Sequence, residues 1–174
     1  MELTGASRGT AYHKVLEVLD FSKEYDEASL QAELERNQAE GILNEDTVSC
    51  IRLSEILAFL YSDIGRRMQQ ACREGTYFAE QPFVLGVKAS QIYPDVECDE
   101  LLLVQGIIDV YFEEEGELVV LDYKTDKVHE AEQLTRRYHA QLDYYAQALE
   151  RLTGKRVKQK IIYSFALQAE VEVP

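Results

Sequence analysis

Two apolar runs of strand character, residues 101–108 and 118–121, each end on an aspartate, and a lysine follows the second aspartate by two places. The first closes as Gly106-Ile107-Ile108-Asp109, the second as Leu121-Asp122-Tyr123-Lys124-Thr125. Side chains alternate along a strand, so Asp122 and Lys124 share a face. Between the runs lies Glu113-Glu114-Glu115-Gly116-Glu117, which reads as a hairpin turn with Gly116 supplying a positive φ. Such a hairpin brings Asp109 beside Asp122. Two close carboxylates repel unless a cation lies between them. Hard oxygen donors suit Mg²⁺ or Mn²⁺. A neighbouring lysine can orient a water or stabilise charge on a phosphate. From these residues alone two readings stand open: a metal-dependent phosphodiesterase site, or solvated charges at strand ends.

The chain has 174 residues, enough for one domain with a substantial core. No apolar run approaches 18 residues, so no membrane span is expected. The N-terminus lacks the basic and apolar blocks of a secretion signal, which points to the cytoplasm. Cys50, Cys72 and Cys98 are far apart and form no CxxC pair, so structural zinc and an iron–sulfur cluster are not expected and reduced thiols are. The net charge of −14 weighs against general nucleic-acid binding, which draws on Lys and Arg. The charge is uneven: residues 124–160 carry nine Lys/Arg against five Asp/Glu, and this basic part begins at Lys124. A domain of this kind binds DNA weakly by itself and depends on metal ions and a partner to deliver it.

The hydrophobic period divides the chain. Residues 9–19, 26–39 (Leu30 and Leu34 on one face), a short segment capped by Asn44 or Asp46, and 53–73 with a break near Tyr61-Ser62-Asp63 all read as helices. Residues 77–89, 101–112 and 118–123 read as strands. A long helix is expected over 126–152, with Asp126 and Lys127 at its start and a stripe of Leu134, Tyr138, Leu142, Tyr145, Leu149 and Leu152. Gly154 ends it as the C-cap, and 157–167 is a last strand. Strand, helix and strand over 118–167 form a parallel crossover. The fold class is α/β: a small mixed sheet flanked by helices, with 1–75 mainly a helical flank and 76–174 the sheet-bearing core of one domain.

In this order, the motifs resemble the PD-(D/E)xK nuclease superfamily, and within it the RecB-family nucleases. The core pair is Gly106-Ile-Ile-Asp109 with Asp122-Tyr-Lys124-Thr125. Upstream, Gly9-Thr10-Ala-Tyr-His13 matches a G-T-x-x-H segment and Glu80-Gln-Pro82 a Glu-x-Pro strand; downstream, Gln141 and Tyr145 match Gln-x-x-x-Tyr. The resemblance spans residues 9–145. It implies a restriction-endonuclease-like core and a Mg²⁺- or Mn²⁺-dependent DNA exonuclease, with Asp109, Asp122, His13 and the Tyr123 carbonyl as metal ligands. Lys124 would position or help deprotonate the attacking water, Glu80 would support the site, and Gln141 and Tyr145 would brace it or contact DNA. Related families that carry an iron–sulfur cluster place cysteines near the C-terminus; none follows Cys98, which favours the AddA-like subclass. The implied context is the C-terminal part of a longer helicase–nuclease chain, with a helicase domain on that chain, a second helicase–nuclease subunit, and single-stranded DNA as substrate in recombinational repair.

Each of these residues also has an ordinary structural reading. His13 can be a packing or surface residue of an amphipathic helix, Tyr145 a core residue, Gln141 an exposed polar residue and Glu80 an edge-strand charge. His129 and His139 match no motif; Arg136 and Arg137 fit a solvated face better than phosphate contacts. Leu152-Thr-Gly-Lys155-Arg156 is no phosphate-binding loop, since it lacks the first Gly and the Ser/Thr after Lys, so any motor lies outside this chain. The competing class is a non-catalytic module that keeps the fold to bind DNA or a partner protein. The cysteine reading makes one prediction: replacing Cys50, Cys72 and Cys98 together by Ala leaves cleavage and metal content unchanged, whereas iron in the purified chain would contradict it.

Overall fold

In the computed structural model, which describes residues 5–174 with side chains from Ser7 onward, the helical and extended periods separate along the chain. Residues 1–4, part of the N-terminal stretch read above for a signal, lie outside the described residues. Five helices come first: α1 (Gly5–Val18), α2 (Glu27–Ala39), α3 (Glu45–Ser49), α4 (Leu53–Tyr61) and α5 (Asp63–Glu74). There follow β1 (Tyr77–Lys88), the short α6 (Ala89–Ile92), β2 (Leu101–Glu114), β3 (Glu117–Lys124), α7 (Ala131–Thr153), β4 (Val157–Ser164) and β5 (Ala169–Val173).

The helix boundaries follow their caps. The Asp26 side chain accepts the Ser29 amide at 2.8 Å and the Ser29 hydroxyl accepts the Asp26 amide at 2.9 Å, a reciprocal cap that starts α2. Asn44, not Asp46, caps α3 by accepting the Thr47 amide. Ser62 breaks the helical run and caps α5 through Gly65. A Cβ at position 65 would fall 2.0 Å from the Phe59 carbonyl oxygen, so only glycine lets α5 turn so tightly off α4.

One five-stranded sheet runs β1-β2-β3-β4-β5. The pairs β1–β2, β2–β3 and β4–β5 are antiparallel, and β3–β4, joined through α7, is parallel. Glu114 pairs with Glu117, leaving Glu115 and Gly116 as a two-residue turn, both at positive φ (53° and 80°). That is the twist a two-residue hairpin needs. Two apolar cores cover the sheet. One packs Val110, Phe112, Val119, Leu121 and Tyr123 against α1, α2, α4 and α5. The other packs Leu118, Val120 and Ile162 against Leu134, Leu142, Tyr145 and Leu149 of α7. Residues 118–123 alternate strictly between the two, and every one of them is buried.

The β2–β3 ladder runs from the turn to Val110–Leu121 and goes no further. Beyond it β2 stays with β1 as far as Leu101, and β3 stays with β4 as far as Lys124. The two central strands therefore fork, and Asp109 and Asp122 are the first residues past the fork. The β1–β2 ribbon beyond it carries a bare apolar face: Val84, Leu101, Leu103 and Ile107 are exposed.

Several expectations are corrected. The strand read over 101–112 runs two residues further, to Glu114. The long helix starts at Ala131 with Glu130 as N-cap, not at Asp126. The Asp126 carboxylate is taken instead by Tyr138 and Arg137, and the Gln133 side chain accepts the amides of His129 and Glu130. The segment before Ala131 is thereby held along the helix and does not wind into it. Leu152, expected in the core stripe, is exposed and borders a pocket with Pro82, Phe83 and Val84 of β1. The last strand stops at Ser164 and turns back as β5, which pairs along β4 and gives the sheet a fifth strand. The helix α6 also had no expectation.

The helix α1 is held by polar contacts inside the first core. Tyr12 is fully buried and its hydroxyl donates to Glu55 of α4, itself buried; Arg8 Nη2 donates to the same Glu55 oxygen at 2.5 Å. The Arg52 amide donates to the Tyr12 oxygen at 3.2 Å. Glu55→Ala leaves buried donors without an acceptor and is expected to cost about 1–3 kcal/mol. A lower urea midpoint with an unchanged slope is the readout; Glu55→Gln, which keeps an acceptor, should lose less.

Candidate active site

The fork sets Asp109 and Asp122 opposite each other, because they stand one step past the last ladder pair, Val110–Leu121. Asp109 takes the place of the missing ladder acceptor: its Oδ2 accepts the Tyr123 amide at 3.0 Å. Tyr123 contributes only backbone here, since its ring lies in the first core against Phe59. On the other side of Asp109, its register neighbour on β1 is Glu80, where the ladder skips a pair and Glu80 stands at φ 51°. A left-handed glutamate costs conformational energy, and such positions gather at functional sites. Three carboxylates from three adjacent strands thus line one end of the sheet.

The first helix brings in His13. Its Nε2 lies 3.0 Å from Asp109 Oδ2, and its Nδ1 lies 2.9 Å from the Gly9 carbonyl oxygen. A carbonyl only accepts, so Nδ1 carries a proton. Gly9 permits the close seat of α1 on the end of β3, since a Cβ there would come within 2.9 Å of Thr125 Oγ1. The hydrogen bond and charge of Asp109 raise the His13 pKa from 6.5 to about 9, against its own burial. His13 is therefore an imidazolium at neutral pH and supplies the positive charge that Asp109 needs.

The two aspartates are driven apart. Asp122 is 1% exposed, and burial together with the Asp109 charge raises its pKa to about 7. Burial pushes Asp109 upward too, but the His13 and Tyr123 contacts outweigh it and hold Asp109 below its ordinary value. One carboxylate is ionised and the other keeps its proton near neutrality, as expected for two acids in one site.

Lys124 approaches Asp122 from the same face of β3. Its Nζ lies 2.7 Å from Asp122 Oδ2, yet off the angle of a hydrogen bond, so this buried oxygen has charge beside it and no donor. Nζ also donates to Gln141 Oε1 at 3.2 Å and stands 4.1 Å from the centre of the Tyr138 ring. Gln141 and Tyr145 lie one turn apart on α7. Tyr145 is buried and packs edge-on against Phe83, with ring centres 5.4 Å apart. Burial and the two aspartates raise its pKa. Phe83 in turn covers Gly106, where a Cβ would meet the ring at 3.0 Å. The glycine of the Gly106-Ile-Ile-Asp109 motif thus makes room for the aromatic contact behind Tyr145.

A divalent cation fits this donor set. Asp122 Oδ2 is a buried oxygen lacking a donor, Asp109 is an ionised carboxylate, and His13 is fixed through Nδ1 so that Nε2 faces the acids. That second hydrogen bond is the usual support of a metal-binding histidine. Among the described residues no group of three or more His, Cys, Asp or Glu is already arranged to hold a metal ion, and His13 Nε2 lies directly against Asp109.

The structure brings together His13, Asp109, Asp122, Lys124 and Gln141, with Tyr145 packed behind and Glu80 at the rim. His129 and His139 are exposed. Arg137 pairs with Asp126 at 2.6 Å. Sequence reasoning gives no site role to Tyr138 or Asp126. Their signal is present all the same: Tyr138 is three places before Gln141 on one helix face, and Asp126 is two places past Lys124.

The sequence model of the PD-(D/E)XK nuclease superfamily matches residues 2–172. The chain is 37% identical to an ATP-dependent helicase/nuclease subunit of Lachnoclostridium phytofermentans over 207 aligned residues, covering 99% of this chain and 15% of that protein. It is 36% identical to the protein of the same name from Clostridium novyi and 36% identical to that of Clostridium botulinum strain Loch Maree, each over 99% of this chain and 14% of the relative. The chain therefore spans only about 15% of the length of the relatives it matches.

The charge arrangement has a consequence for stability. The pKa values of His13 and Asp122 are both raised on folding, so each group favours the folded chain at low pH and loses that contribution as pH rises through about 9 and about 7, respectively. In the metal-free chain, Asp122→Asn should melt like the parent at pH 4 and be more stable by about 1–3 kcal/mol at pH 8 to 9. Thermal melts in EDTA measure this, and a parent more stable than the variant at pH 9 would count against it.

Proposed function

Since the chain belongs to the PD-(D/E)XK nuclease superfamily, we propose that it is a metal-dependent deoxyribonuclease domain whose centre is the pair Asp109–Asp122 with Lys124 beside it. The observation that carries this reading is the fork between β2 and β3. It sets two aspartates face to face, leaves a buried Asp122 oxygen without a donor, and presents a lysine on the same face.

In this reading Asp109, Asp122, His13 and the Tyr123 carbonyl hold a divalent ion, Mg²⁺ or Mn²⁺. When bound, the ion supplies positive charge to polarise the scissile phosphate and acidify the attacking water. To hold such an ion His13 would give up its Nε2 proton and Asp122 would ionise, so that each offers a lone pair. Lys124 donates to the attacking water and to the phosphoryl oxygens as their charge grows. The water oxygen bonds to phosphorus, the bond from phosphorus to the 3′-oxygen breaks, and that oxygen takes a proton. The products are a 5′-phosphate and a 3′-hydroxyl. Glu80 supports the water from β1, while Gln141 and Tyr145 fix the lysine side of the site.

The names of the relatives join a helicase to a nuclease. By that likeness the whole of 1–174 is a single nuclease domain, part of a longer chain that carries the motor. It would act as an exonuclease on single-stranded DNA delivered by that motor and a second subunit, in the cytoplasm, during double-strand break repair. The net charge of −14 fits a domain that relies on delivery more than on its own affinity for phosphate. Among the described residues, no helix is long and apolar enough to cross a membrane.

The test is cleavage of end-labelled single-stranded DNA with Mg²⁺, with Mn²⁺ and with EDTA. Cleavage is expected only with metal, and Asp122→Ala and Lys124→Ala should each lower it by about 10²-fold or more while the fold persists. A folded chain that binds no metal and cuts no DNA would instead fit the non-catalytic module.

A further inference from the structure

The lysine of the site is held by more than its carboxylate. Lys124 Nζ stands 4.1 Å from the centre of the Tyr138 ring. The far end of that ring is tied: its hydroxyl donates to Asp126 Oδ2 at 2.6 Å, and Arg137 Nη1 donates to the same oxygen at 2.6 Å. Asp126 follows Lys124 by two residues, so helix α7 and the segment leaving β3 are closed into a clamp around the lysine. A lysine side chain has four rotatable bonds and does not hold one place unaided.

We propose that Tyr138 is a positioning residue for Lys124, with Asp126 fixing the ring that holds the ammonium in place. The proposal rests on the catalytic reading of Lys124 given above. Its physical basis is the kind of attraction involved. A ring face draws a cation through its quadrupole and offers no lone pair to compete for a proton. Of the other two partners of Nζ, Gln141 Oε1 accepts one of its hydrogen bonds and Asp122 Oδ2 meets its charge at 2.7 Å. The ring can hold the ammonium in position while its N–H bonds turn to water and phosphate. Tyr138 is half-buried and lies between Lys124 and Asp126, so its ring is not there to fill the second core alone.

Two readouts test this. In the chain labelled with ¹³C at the lysine ε-carbons, the Lys124 ε-protons should be shifted upfield by the ring current, with the signal assigned by its loss in Lys124→Ala. Tyr138→Phe should keep that shift and Tyr138→Leu should abolish it. In Mg²⁺-dependent cleavage of single-stranded DNA, Tyr138→Leu should lower kcat about 3- to 30-fold with KM unchanged. Tyr138→Phe should retain more of the rate than Tyr138→Leu. Asp126→Ala, which unties the ring without removing it, should give a smaller loss of the same kind. An unshifted Lys124 signal in the parent overturns the proposal. So does a Tyr138→Leu variant that loses the shift and keeps the parent kcat. Should Lys124→Ala cleave at the parent rate, the catalytic reading of the lysine falls and this proposal falls with it, a result separable from the others because the parent chain would still show the shifted Lys124 signal.

Discussion

The hydrogen bond from the Tyr123 amide to Asp109 Oδ2 is the contact around which the site is built. It sits where the β2–β3 ladder stops, and it replaces a backbone acceptor with a carboxylate. A buried amide needs a partner, so the carboxylate is drawn into the sheet, and with it comes the negative charge that organises its surroundings. His13 reaches it from α1, Asp122 faces it from β3, and Glu80 lies across from it on β1. Without that bond the fork would have an unpaired amide and no reason to hold two acids together.

The layers on either side of the sheet divide the work. The α1–α5 side fixes the histidine: Glu55 anchors α1 through Tyr12 and Arg8, and Gly9 lets the helix sit against Thr125. The α7 side fixes the lysine through Gln141 and Tyr138, while Tyr145 packs behind it against Phe83 and Gly106. The alternation of β3 is what allows both. Tyr123 goes into one core, while Asp122 and Lys124, its neighbours, face the other. A strand buried on both faces is apolar through most of its length, so its charged residues fall at its ends, Glu117 at the hairpin and Asp122 and Lys124 where the sheet opens.

The energetic character of the site is charge held at a cost. Asp122 resists ionisation because it is buried beside another acid, and Asp109 stays ionised because His13 carries a proton well above its usual range. Such an arrangement lowers the stability of the chain as pH rises, because burial beside Asp109 opposes the ionisation of Asp122.

Much of this was legible in the sequence because it depends on local rules. The period of the strand put Asp122 and Lys124 on one face, Gly116 marked the two-residue turn, and Asp26, Ser62 and Gly154 marked helix ends. The order of motifs from Gly9 to Tyr145 carried the family. The start of α7 was not legible, because Asp126 looks like a helix cap until Tyr138 and Arg137, twelve and eleven residues on, claim its carboxylate. The exposure of Leu152 depends on how the end of α7 meets β1, which the period of the helix does not state. The fork, the orphaned Asp122 oxygen and the ring over Lys124 were likewise beyond sequence reasoning. The chain itself determined which residues could do the chemistry and on which elements they lie, since pattern and turn chemistry act over a few residues. Only the tertiary structure decided which of them meet, because those distances are set by packing between segments up to 96 residues apart, such as His13 and Asp109.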